Sequence, residues 1–186
     1  MSRYKSYSQL AEVEGQVVAA FVEGFPALLR DDGRAILEKH GISDPRSGTF
    51  YLLQSFLDAM DEVAQRMGDQ MLFRIGSEIA ARAKFPPDVS SLESCLASIN
   101  AAYHLNHRGG DIGTYTFTDE GLRGGLRRAR MTCRNPYPHA FDRGVLEGMA
   151  KKFKPSECLD VVVRDDESAP TRKTGADSST YVITWG

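Results

Sequence analysis

Apolar positions recur along this chain in two rhythms, a helical one up to about residue 107 and an alternating one after it. Leu10, Val13, Val17 and Phe21 share one stripe behind a cap at Ser8, so a first helix is predicted there, broken at Pro26. A short second helix follows Gly33 and stops at Gly41. From Thr49 to Met67 the residues Leu53, Phe56, Leu57, Met60, Ala64 and Met67 repeat at helix spacing, with Gly68 as the stop and Asp69 as the next cap. Leu72, Ile75, Ile79 and Ala83 define a fourth helix, closed by Pro86 and Pro87. Ser90, followed three residues later by Glu93, has the form of a capping box and opens a fifth through Leu96, Ile99 and Tyr103 to about His107.

Beyond Gly109 and Gly110 the period drops to two. In Asp111 to Thr118, Tyr115 and Phe117 fall on one side and Thr114 and Thr116 on the other, which predicts a strand. Past the glycine-rich turn Gly121 to Gly125, Ala129, Met131 and Cys133 alternate with Arg128, Arg130 and Arg134, as on a half-buried strand, so the pair forms a hairpin. The bend Asn135-Pro136-Tyr137-Pro138 leads into an amphipathic helix on Phe141, Val145, Met149 and Phe153, ended by Pro155. Strands then fit Glu157 to Arg164 and Ser178 to Trp185. The expected fold class is α+β: an N-terminal helical half packed on a four-stranded antiparallel sheet with one crossing helix.

Composition narrows the function classes. The 186 residues suit one domain, 41% hydrophobic and 26% charged, and the net charge of -2 argues against general nucleic-acid or membrane-surface binding. No apolar run reaches eighteen residues, and the polar start Met1 to Gln9 lacks the core of a signal peptide, so a cytoplasmic protein is expected. Cys95, Cys133 and Cys158 are too few and too spread for a disulfide framework and are read as free thiols.

Candidate chemistry concentrates at the junction of the two rhythms. Ile99, Tyr103 and His107 share a helix face, with His104 and Arg108 flanking it. Two roles are open to this set: orienting a ligand against an apolar lining, or satisfying backbone carbonyls at a helix C-terminus. A pocket between helices and sheet is expected, lined by Phe56, Met60, Leu96, Ile99, Tyr103, Tyr115, Phe117 and Phe141, with Tyr137, His139 and Arg134 as further ligand contacts. His104, His107, His139 and Cys133 are chemically suited to zinc, but their spacing is not that of a metal site, and no metal is expected. Arg123, Arg127, Arg128, Arg130 and Arg134 form the densest basic patch. They read as a solvated strand edge that meets the acidic run Asp165-Asp166-Glu167. No nucleophile elbow, Cys–His signature, dinucleotide fingerprint or kinase set occurs, so no catalytic residue is assigned.

Three strings carry a family resemblance: Ala102 to Gly110 (AYHLNHRGG), Cys133 to Pro138 (CRNPYP) with Phe141-Asp142-Arg143-Gly144, and the ending with Arg172, Gly175 and Ser179 to Trp185. They resemble the superfamily of heme nitric-oxide-binding domains, four-vinyl-reductase sensor domains and vesicle-tethering transport-particle subunits, over roughly Thr49 to Trp185. The similarity is greater to the four-vinyl-reductase group than to the heme branch. It implies residues 1–48 as a helical extension and 49–186 as a ligand-binding α+β unit, together one continuous globule. The implied function is sensing or binding of a hydrophobic small molecule, with a heme- or metal-dependent sensor, or a small enzyme acting on a tetrapyrrole, as the alternatives. Two departures stand out. Where the sensor group has a metal-binding cysteine cluster, this ending has Thr171 and Ser179, and the Tyr-x-Ser-x-Arg clamp of the heme branch occurs nowhere. The cofactor is left unassigned. The resemblance, with the apolar stripe Leu10 to Phe21 lying ahead of it, leads to the expectation of a homodimer formed partly through the first helix.

Overall fold

In the computed structural model, which describes residues 2–186, helices and strands pack around one apolar core. The helical half is α1 (Gly15–Glu23), α2 (Arg30–Lys39), α3 (Leu53–Met67), α4 (Asp69–Arg82) and α5 (Leu92–Asn106). Threaded through it is a small sheet that local periodicity did not predict, with β1 (Glu12–Glu14) between β2 (Phe50–Leu52) and β3 (His107–Arg108). The second half is the hairpin β4 (Thr114–Arg123) and β5 (Leu126–Arg134), then α6 (His139–Lys152), β6 (Val161–Asp165) and β7 (Ser179–Trp185). The four long strands are antiparallel in the order β4-β5-β7-β6, as the alternation implied.

The first helix starts later than its stripe suggested. Ala11 and Val13 are buried in an extended segment whose backbone pairs on both sides with β2 and β3, and this pairing overrides helical spacing. Glu14 caps α1, its carboxylate accepting from the N–H of Gln16 at 2.6 Å. Of that stripe Val13 and Phe21 are buried, Val17 is half-buried against the core, and Leu10 is exposed. Residues 1–48 thus contribute Phe21, Phe25, Ile36 and Leu37 to the common core.

At α5 the capping box forms one residue later than expected, between Ser91 and Ser94. The β4–β5 turn is tighter than the glycine run implied. It is Gly124-Gly125, both with positive φ, the pair that a two-residue hairpin turn favours. On the inner face of the sheet Ala129, Met131, Cys133, Tyr181 and Ile183 are fully buried. On the outer face Arg130 pairs with Asp166 at 3.2 Å, as the acidic run implied, and Arg128 with Glu120 at 2.6 Å, but β5 lies between β4 and β7, so these arginines form the outer face of an inner strand and not a sheet edge.

Helices α4 and α6 cross at unusually short range. A Cβ on Gly144 would come 2.0 Å from the carbonyl oxygen of Phe73, and one on Gly76 2.3 Å from that of Phe141. Glycine alone permits this approach, which sets the first turns of both helices side by side.

Candidate functional site: a polar cleft at the start of two helices

The interior between helices and sheet is built from aromatic rings in mutual contact. Tyr103 lies 4.1 Å from His107, 5.2 Å from Tyr115 and 6.2 Å from Tyr137, centroid to centroid, and Tyr137 lies 5.3 Å from Phe141. Their polar tips are satisfied internally. The Tyr103 hydroxyl donates to the Ile112 carbonyl at 2.5 Å, and His107 donates from Nδ1 to the Tyr103 carbonyl at 2.8 Å. That fixes its tautomer, leaving Nε2 to accept from the Tyr137 hydroxyl at 2.6 Å. Burial pushes the His107 imidazole down to about 4, so it is neutral at pH 7. Tyr115 donates at 2.6 Å to Asp142, a fully buried carboxylate.

Asp142 is the pivot of a second network. Its carboxylate accepts from Asn135 Nδ2 at 3.1 Å and from the Arg172 guanidinium in a short ion pair. The remaining donors of Arg172 hold the bend, with Nη1 donating to the carbonyls of Asn135 and Tyr137 at 2.6 and 2.8 Å. Burial works against charge on Arg172, but Asp142 outweighs it and keeps the guanidinium protonated. The Asn135-Pro136-Tyr137-Pro138 bend is thereby tied to the loop after β6.

Next to this clasp, a cleft of about 780 Å³ opens between the helices and the loop that connects two strands of the sheet. One wall is Arg3, Tyr4 and Tyr7 of the N-terminal segment with Asp69 and Phe73 of α4. The other is Tyr137, His139 and Arg143 at the start of α6, with Arg172, Lys173 and Ala176 of the loop. His139 is held in that wall, Nε2 against Asp165 at 3.1 Å and Nδ1 against Ser179 at 2.9 Å. Burial lowers its pKa although Asp165 opposes this. Ser179, His139 and Asp165 make a hydroxyl–imidazole–carboxylate row, but Ser179 is fully buried and receives the Arg172 N–H at 3.1 Å. It has no access to a substrate.

The structure thus separates the sequence-predicted contacts into three groups. Tyr103, His107, Tyr115 and Phe141, with Phe56, Met60, Leu96 and Ile99, are packed core. His104, Arg108 and Arg134 face outward, bonded to the Asn100 carbonyl, Glu12 and Asp111 respectively. Tyr137 and His139 line the cleft. Among the described residues no three metal-ligating side chains come together, and burial raises the Cys133 thiol well above its ordinary range. Thr171 and Ser179, at the positions where the resemblance implied cysteines, lie 3.3 Å apart beside His139. The site is placed together, but its donors are hydroxyls, which are weak ligands for a soft divalent metal.

Sequence reasoning passed over Arg3, Phe73, Arg143, Arg172 and Lys173 as cleft residues. Asp142 did carry a signal, because with Leu146 and Met149 it sits on the buried face of α6, where a carboxylate needs a buried partner. Nothing local marked Arg172 as that partner.

No protein-family model matches the chain, and no curated protein matches it. Among solved structures it is similar to an H-NOX protein from S. oneidensis in the Fe(II)NO ligation state, at 18% identity and TM-score 0.62, covering 93% of this chain and 99% of that one. It is also similar to an oxygen-binding H-NOX domain related to soluble guanylate cyclases, at 11% identity and TM-score 0.61, covering 92% and 93%. The chain has the H-NOX fold.

Two further similar structures, at 12% and 11% identity and TM-scores of 0.58 and 0.59, concern heme distortion. The rings of Tyr103, His107, Tyr115, Tyr137 and Phe141 pack at 4.1 to 6.2 Å, centroid to centroid, and a flat macrocycle in their layer would have to displace them. Both nitrogens of the buried His107 are committed to protein partners, and burial lifts the Cys95 thiol to about 12. These residues do not fit a heme in the interior.

Proposed function

We propose that this chain is a small-molecule-binding domain of the sensor type that uses the H-NOX fold without an interior heme, and that it takes its ligand in the cleft between α4, α6 and the loop after β6. The observation that carries this reading is the division of labour around Asp142: its partners close the interior on one side and fix the cleft wall on the other. A hydrophobic ligand body would lie on Tyr4, Phe73 and Tyr137, and the polar rim would orient it. No step of chemistry is assigned, since the Ser179–His139–Asp165 row is sealed at Ser179.

Native mass spectrometry of the purified full chain tests the reading. A small organic adduct should be retained by the wild type and lost in Ala176→Trp, which fills the cleft without touching the core. An adduct of heme mass, or one that survives the Trp side chain, would contradict it.

A further inference from the structure

We propose that the ligand is a small organic dianion whose two acid groups are gripped by Arg3 and Arg143; this rests on the cleft being the ligand site. Both guanidiniums are anchored through Nε alone, Arg3 to the buried Asp61 at 2.6 Å and Arg143 to Glu147 at 3.2 Å. Each also stands near an aromatic ring, Arg3 by Tyr4 at 5.3 Å and Arg143 by Phe73 at 6.0 Å. Among the described residues neither has a protein partner on its terminal nitrogens, so each presents an open two-donor edge. Such an edge matches a carboxylate in the bidentate mode.

The other charged groups of the cleft divide cleanly. Arg172 and Lys173 are spent on Asp142 and Asp165, whereas the Lys5 ammonium has no protein partner among the described residues. Two carboxylates, Asp69 and Asp177, also line the cleft. Arg3 and Arg143 are themselves paired with Asp61 and Glu147, so the grip rests on their two unpartnered terminal edges and on the Lys5 ammonium rather than on a net positive charge. Two forks on one cleft, with aromatic walls, select two acid groups on a flat body over a single anion.

The test is amide chemical-shift mapping of the full chain with three probes at millimolar concentration: isophthalate, benzoate and the neutral isophthalamide. Isophthalate should move the amides of residues 69–73, 135–143 and 172–177, bind about tenfold or more tightly than benzoate, and lose about tenfold in Arg143→Gln. Arg3→Gln, which keeps a donor for Asp61, should do the same. Isophthalamide binding the cleft as tightly as isophthalate would overturn the dianion while leaving the cleft as the ligand site. Isophthalate binding that neither glutamine variant weakens, or no cleft amide moving with any probe, would also overturn the dianion. The cleft itself is then judged separately by adduct loss in Ala176→Trp.

Discussion

Arg172 reaches from the loop after β6 to the fully buried carboxylate of Asp142 on α6, thirty residues earlier in the chain. Removing one member of a buried ion pair strands the other, at a cost of about 3 to 5 kcal/mol. Asp142→Leu and Arg172→Leu should each lower the urea-derived unfolding free energy by about that amount. The double variant should fall well short of the sum of the two, because neither charge is then stranded. Additive losses would mean that the two residues act independently.

Alanine in place of glycine within an open helix adds about 1 kcal/mol of stability. At Gly144 the sign should invert, because the new methyl meets the Phe73 carbonyl at 2.0 Å and α4 has to move. Gly144→Ala is expected to lose about 3 kcal/mol by overpacking and to weaken binding in the cleft, since Phe73 and Arg143 lie on either side of that crossing. Thermal unfolding and ligand titration of the same variant check both parts.

His107 should make the fold acid-sensitive. Burial places its folded-state value at about 4 against an ordinary 6.5, so between those limits the unfolded chain binds a proton that the folded one refuses. The neutral imidazole's contribution is therefore complete above pH about 6.5 and lost as pH falls toward about 4, an effect of about 3 kcal/mol. His139, also lowered by burial, pulls in the same direction. Urea unfolding at pH 7.5 and 4.5 isolates the His107 contribution: His107→Gln should lose markedly less stability between the two than the wild type does. Equal losses would show that His107 titrates normally.

Periodicity alone recovered the five early helices, the hairpin, α6 and the final strands, because each buries a face that its own spacing reveals. It missed β1, β2 and β3. Strands of two or three residues carry too little pattern, and Val13 fits a helical stripe as well as an extended pair. Legibility was lower still for the cleft. Tyr137 was singled out from the Asn135–Pro138 bend and His139 as a metal-suited side chain, but Arg3, Phe73 and Arg172 come from three distant segments and meet only through the glycine crossing and the Asp142 pair. Tyr103 and His107 were correctly placed on an inward face. Spacing could not tell that their polar atoms find partners in Ile112 and Tyr137.

Whether the interior is closed to a macrocycle is decided most directly by titrating the full-length chain with hemin and following absorbance in the Soret region. The packed Tyr103–His107–Tyr137 cluster predicts only weak, non-saturating binding that His107→Ala leaves unchanged. A saturating one-to-one Soret band that disappears in His107→Ala would contradict the account at its centre.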